Sequence, residues 1–271
     1  MLRTRIITGV ILLTLFAADL FLANSRVFAL VLGVVVAAGA WEWSRLCQTR
    51  DENMQTAFAA FAGVLALVVL YIPYNEALMR WILLAGFLYW LTVPIAFYMK
   101  PRLLAFSELK TGLLGSSIFI LLVAAVAIQY LRTYAPLGSA YLLLYAFSIV
   151  WVMDIGAYFS GKRFGRNKLA PQISPGKTWE GVFGGLLATF VIMLVVLFSA
   201  DFAEGNALKL TLATLLAAVV SVIGDLAESR IKRAANMKDS SQMLPGHGGV
   251  LDRIDGVLSA LPVFAFVWAW M

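Results

Sequence analysis

The sequence predicts an all-α, polytopic transmembrane protein of about nine spans. Of its 271 residues, 62% are hydrophobic and only 13% charged. A soluble domain is about half apolar and about a quarter charged. The mean hydropathy is +0.87. The apolar residues also fall in long continuous runs. Such runs suit the roughly 20 residues that a helix needs to cross a bilayer, and not the short alternating segments of a β-barrel.

The runs lie at roughly 6–23, 27–44, 57–73, 78–99, 112–131, 139–160, 179–199, 207–228 and 249–270. The first follows Met1-Leu-Arg-Thr-Arg, which has the outline of a signal peptide. No small-x-small cleavage site closes the run, so it reads as an uncleaved helix. Asp19 near its outer end, and Glu42 near the inner end of the second span, read as interfacial residues. The third, fourth and fifth spans bring no polar motif. The sixth contains Asp154, an intramembrane carboxylate of the kind that is functional by default; the other reading is a buried hydrogen bond, for example to Tyr158. The seventh follows a lysine-rich loop at about 161–178. The eighth ends in "GDLAESRIKR", and a second polar loop at about 229–248 leads to the ninth. That last span has Asp252, Arg253 and Asp255 near its start and Trp268 and Trp270, an aromatic belt, near its end.

The charges support this count. Sixteen of the 21 Lys and Arg fall in the loops on the N-terminal side, and four on the other. The positive-inside rule then places the N-terminus in the cytoplasm and the C-terminus outside. It also accounts for the net charge of +6, which therefore calls for no nucleic acid. With neither repeat nor linker in view, residues 1–271 read as one integrated membrane domain, with 139–271 its motif-rich catalytic part. One cysteine and one histidine exclude an intrachain disulfide and a Cys- or His-built metal centre. Any metal must use oxygen ligands, which favours Mg²⁺-like ions.

The two rich loops carry the chemistry. Asp225 and Glu228 share a helix face, and Asp252 and Asp255 repeat the spacing on the next span. Carboxylates converging from two helices repel unless a cation lies between them, so Asp225, Asp252 and Asp255 are the candidate metal ligands; the other reading is ion pairing, within or between helices, with Arg230, Lys232 or Arg253. Glu228 is four residues from Lys232 and reads as its ion-pair partner. "PGHGG" between the pairs has the glycines of an anion nest, with His247 as a donor or a plain turn residue. In the other loop, Ser174 before Pro175 reads as a helix N-cap, which would put Lys177 in the first turn of the seventh helix, where phosphate is attracted. "GKT" is not a P-loop, because Pro171 stands where that motif needs glycine. Gly181 and Gly185 form a small-xxx-small packing pair. Together these features suit phosphoryl or nucleotidyl transfer between a soluble donor and a lipid.

"SRIKRAANMKDSSQMLPGHGGVLDRID", Ser229 to Asp255, closely resembles the signature of phosphatidate cytidylyltransferases, also called CDP-diacylglycerol synthases. In outline that signature is S-x-x-K-R-x4-K-D-x4-[LIF]-P-G-H-G-G-x-x-D-R-x-D, and every fixed position is present. "DIGAYFSGKRFGRNKLAPQISPGKTWEG", Asp154 to Gly181, is similar to the family's second block. The resemblance implies transfer of CMP from CTP to phosphatidate with Mg²⁺, by a homodimer in a bacterial inner membrane, with the active site facing the cytoplasm. A second, monovalent cation is compatible with this. The expected catalytic residues are Asp225, Asp252, Asp255, Lys177, Lys238 and Arg253. Asp225 and Asp252 hold the metal, with Asp255 a third ligand or a support, and the basic residues take phosphates. Asp154, Lys168, Ser174, Lys232, Arg233, His247 and Gly248 are the expected substrate-binding residues. The alternatives are a CTP-dependent lipid kinase, using the same apparatus on the γ-phosphorus, and a transporter.

Overall fold

The computed structural model describes residues 2–49, 51–71, 76–99, 110–133, 139–199 and 205–271. Among these are nine helices long and apolar enough to cross a membrane. They are α1 (Leu2–Leu22), α2 (Ser25–Leu46), α3 (Glu52–Tyr71), α4 (Glu76–Met99), α5 (Lys110–Thr133), α6 (Ser139–Phe164), α7 (Trp179–Ser199), α8 (Ala207–Ala234) and α9 (Leu251–Trp270). Each expected span is present. Arg50, Lys100 and Arg102, counted in the charge alternation, lie outside the described residues.

Two helices outrun their apolar segments. α6 continues through Lys162 and Arg163, and α8 through Lys232 and Arg233. Basic residues in a last turn complement the helix dipole, so the polar ends stay helical.

The all-α fold is present with one short exception, and that exception corrects the N-cap reading of Ser174. Lys168–Ala170 (β1) and Ser174–Thr178 (β2) form a short antiparallel hairpin that pairs Lys168 with Thr178 and Ala170 with Ser174. Ser174 is therefore a strand residue and not an N-cap, and Lys177 precedes α7. The cap is Thr178: its Oγ1 accepts from Gly181 N at 3.1 Å. Pairing with β1 decides the conformation of Ser174–Thr178, which the local sequence alone leaves open to a helix start.

α9 is the central element. It packs along α8 and also against α5, α4, α6 and α2, and nearly all of it after Asp255 is buried. α1 is peripheral and touches α2 and α6 only lightly. Lipid tails are as apolar as Leu, so helix association here depends on close packing. Glycines supply it. A Cβ on Gly224 of α8 would lie 2.2 Å from Ser259 Oγ and 2.7 Å from Asp255 O, and one on Gly256 of α9 would lie 2.9 Å from Val150. Gly156 of α6 meets Gly185 Cα of α7 in the same way, and Gly181 meets the carbonyl of Ala157, which makes the small-xxx-small pair a packing seam. The first of these crossings brings Asp225 and Asp255, the neighbours of Gly224 and Gly256, to one place.

Candidate active site

The two polar loops meet at one end of the bundle. Lys177, on β2, is ion-paired with Asp225 of α8. The other oxygen of Asp225 accepts from Ser229 Oγ at 3.2 Å. Lys232, on the last turn of α8, lies 2.5 Å from Glu228 and 2.6 Å from Asp252 of α9. The expected Glu228–Lys232 pair is thus present, with Asp252 as a third member.

Asp252 is fully engaged. Oδ1 takes Lys232, and Oδ2 accepts from Ser240 N at 2.9 Å, Ser240 Oγ at 3.0 Å and Gly249 N at 2.8 Å. It fastens the loop that arrives from α8. Asp255 faces elsewhere: its electrostatic neighbours are Asp225, Glu228 and Asp154, while Asp154 also faces Lys177 and Arg253. Asp154 therefore belongs to this cluster, and the structure gives it no hydrogen bond to Tyr158 among the described residues.

Among the described residues no three Asp, Glu, His or Cys side chains converge to hold a metal ion. The expected trio of Asp225, Asp252 and Asp255 is open because Asp252 is drawn to Lys232 and the loop. Two observations nevertheless fit Mg²⁺. Linked as above, the five carboxylates Asp154, Asp225, Glu228, Asp252 and Asp255 face the three cations Lys177, Lys232 and Arg253, a formal excess of two negative charges. The ammonium groups of Lys177 and Lys232 also stand against Asp225 and Asp252, as cations would. Mg²⁺ is ordinarily held by only one or two carboxylates, with substrate phosphates and water completing the shell.

The loop between α8 and α9 is built on polar contacts. Gly246 and Gly248 have φ of +77° and +83°, a region that glycine enters freely. Leu244 N donates to Gly248 O at 2.8 Å. His247 is the turn residue: its N–H reaches Leu244 O at 2.8 Å, and its ring packs on Gly9 of α1, leaving Nδ1 buried without a hydrogen-bond partner among the described residues. Thr8 Oγ1 donates to Pro245 O at 3.0 Å, so α1 covers this turn.

The remaining expected residues are more dispersed. Lys168, Lys238 and Arg253 are exposed, and Ser174 is half-buried in β2. Arg233 ties the two loops together, donating to Ile173 O at 3.3 Å and Met237 O at 3.0 Å.

Two carboxylates that hold these loops are not among the site residues expected from the sequence. Glu180, at the start of α7, accepts from Arg166 N at 3.1 Å and from Asn167 N and Nδ2 at 3.2 and 2.7 Å, closing the connection into the hairpin. Its signal was present as an acid in a first helical turn. Glu42, near the inner end of α2, is completely buried within the protein. It accepts from Ser240 Oγ at 2.9 Å, Ser241 Oγ at 2.6 Å, Val250 N at 2.8 Å and Leu251 N at 2.7 Å. The only hint in the sequence was a carboxylate near the end of an apolar run.

The match to the cytidylyltransferase family covers residues 3–271. A Pseudomonas aeruginosa protein named phosphatidate cytidylyltransferase is 42% identical over 270 residues, covering 99% of this chain and 98% of that one. A Haemophilus influenzae protein of the same name is 36% identical over 284 residues, covering 99% of each. A third, from Brucella suis, is 34% identical over 268 residues, covering 96% of this chain and 90% of its own.

Proposed function

The chain belongs to the cytidylyltransferase family, and from that premise we propose that it is a phosphatidate cytidylyltransferase, making CDP-diacylglycerol and pyrophosphate from CTP and phosphatidate. Its relatives bear that name along their full length. The structural observation that carries the reading is the meeting of Lys177–Asp225 and Lys232–Asp252 under two polar loops at one end of an apolar bundle. The part-exposed Lys177–Asp225 pair and the exposed Arg253 lie where a water-soluble triphosphate and a bilayer lipid would meet.

The phosphate of phosphatidate is a monoester whose second pKa is about 6, so it is already a nucleophilic dianion near neutral pH. No strong general base is required. One of its oxygens attacks the α-phosphorus of CTP in line. A new P–O bond forms as the α–β anhydride bond breaks, and pyrophosphate leaves with the bonding electrons. Both partners are anionic, so placing fixed positive charge is the main task of the protein. Lys177 and Lys232 serve it, each held by a carboxylate before substrate arrives. Arg253 and Lys238 extend the positive surface toward the loops, with Lys168 on the hairpin. Ser174, Arg233, His247 and Gly248 shape the loops around the phosphates, and Asp154 orients Lys177 and Arg253. Asp225 and Asp252 would hold Mg²⁺, with Asp255 as a third ligand or support. The ion supplies charge neutralisation of the phosphates when bound.

In this reading the protein is a homodimer in a bacterial inner membrane, with its N-terminus and site on the cytoplasmic side. The deciding experiment supplies purified protein with phosphatidate, Mg²⁺ and CTP labelled at the α- or the γ-phosphorus. The α-label enters the organic phase if the proposal is right. Entry of γ-label into a lipid alcohol would make the protein a CTP-dependent kinase, and movement of neither label would return weight to transport.

A further inference from the structure

Glu42 lies in the last third of α2, 198 residues from its first loop partner, and has no exposed surface. A buried carboxylate without a cation is costly unless its oxygens are fully hydrogen-bonded. Among the described residues Glu42 makes no ion pair, yet both oxygens are hydrogen-bonded: Oε1 by Ser241 Oγ and Val250 N, Oε2 by Leu251 N and by the Ser240 hydroxyl, whose one hydrogen it shares with Asp252 Oδ2. The two amides are the free N–H groups that begin α9. α9 has no side-chain cap of its own, since Val250 at the cap position offers none. An anion at a helix N-terminus is favoured by both hydrogen bonding and the dipole, and here the anion comes from another span.

The consequence reaches Asp252. Ser240 Oγ lies 2.9 Å from Glu42 and 3.0 Å from Asp252 Oδ2, while Ser240 N holds the same Asp252 oxygen. Gly249 fits between: a Cβ there would lie 2.0 Å from Ser240 Oγ and 2.5 and 2.6 Å from the oxygens of Glu42. The first turn of α9, the Ser240–Ser241 segment and the Asp252 carboxylate are therefore set by one buried side chain of α2.

We propose that Glu42 is a positioning residue for the reaction, fixing Asp252 and the α8–α9 loop relative to the lysines without touching substrate. This rests on the cytidylyltransferase reading for its kinetic consequence, and on geometry alone for its hold on the loop.

The test compares the wild type with Glu42→Gln, Ser240→Ala and the double variant. It measures kcat and KM for both substrates, and hydrogen exchange at individual amides. Glu42→Gln keeps the volume but turns N–H groups toward donors. Displacement of a reacting group by about 1 Å costs about a hundredfold. The expected result is a kcat lower by about that factor with both KM values within about threefold, the pattern of an interaction realised in the transition state. The amides of Val250 and Leu251 should exchange faster while those of α3 and α4 do not. The double variant should be no slower than Glu42→Gln, because both substitutions cut the same chain of contacts.

Wild-type kcat in Glu42→Gln would overturn the proposal, as would faster exchange throughout the bundle. If Glu42→Gln does not fold, Ser241→Ala, which removes one donor and leaves the carboxylate, must still lower kcat several-fold at unchanged KM. Wild-type kcat in both serine variants would then overturn it. If the wild type itself transfers no α-label, the activity reading has failed, and exchange at Val250 and Leu251 alone decides the role of Glu42.

Discussion

Lys232→Met removes a cation that faces two buried carboxylates. The Lys232 side chain is 10% exposed, and those of Glu228 and Asp252 are 4% and 5% exposed. At 2.6 Å and an effective dielectric constant of about 20, each attraction is about 6 kcal/mol before desolvation is counted. The net loss is smaller, because the mutant has an escape. A carboxyl of ordinary acidity takes up a proton at pH 7 for about 4 kcal/mol, at 1.36 kcal/mol per pH unit. That limit falls within the roughly 3–5 kcal/mol expected when one partner of a buried ion pair is removed. The assay is the thermal unfolding midpoint in detergent at a fixed scan rate, with Lys177→Met alongside. Lys177 and Asp225 have side chains 26% and 24% exposed, so solvent screens that pair and its loss costs less. Lys232→Met should lower the midpoint by about 10 °C, at about 2–4 °C per kcal/mol, and Lys177→Met by clearly less. Millimolar Mg²⁺ should restore more of the midpoint to Lys232→Met than it adds to the wild type, because the variant has one more uncompensated negative charge. Equal shifts for the two lysines, or no shift for Lys232→Met, would refute the charge reasoning.

Gly249→Ala should abolish most turnover, by about a hundredfold or more, since the nearest atoms its Cβ would meet belong to Ser240 and Glu42. Gly115→Ala, where nothing among the described residues lies within 4 Å, is the control and should keep full activity; equal turnover in the two proteins would refute the reasoning. Glu180→Gln should loosen the entry to the hairpin, with exchange at the Arg166 and Asn167 amides faster by about fivefold and exchange in the α8–α9 loop unchanged. Simultaneous loosening of both loops would mean that they do not move independently.

The spans were legible because each is a local property: about twenty apolar residues with charges at the ends are visible in any window of the chain. The Glu228–Lys232 pair was legible for the same reason, being one helical turn. The hairpin was not. "SPGK" satisfies the local rules for a helix start, and only the pairing of Lys168 with Thr178 across the loop decides for strand. The meeting of Asp225 and Asp255 was expected from loop length, but its cause, the contact of Gly224 with Ser259 and Gly256 with Val150, depends on which helix faces which. The pairing of Asp252 with Lys232 was the alternative the charges offered, while its hold on Ser240 depends on a loop contact that no local pattern shows.

Glu42 shows where such reading stops and why. All the recognisable motifs lie after residue 139, so the first half of the chain looks like scaffold. Yet the second half does not complete its own loop. α9 begins with amides that its own cap residue, Val250, does not cap, and the turn at Gly246–His247 packs on Arg5 and Gly9 of α1. A carboxylate is costly in an apolar helix, and its presence in α2 is explained only by donors 198 to 209 residues away. The same holds for Gly249, whose missing side chain makes room for an atom of α2. The frame of the site therefore runs through both halves of the chain, and residues that bear no chemistry of their own decide where the reacting groups stand.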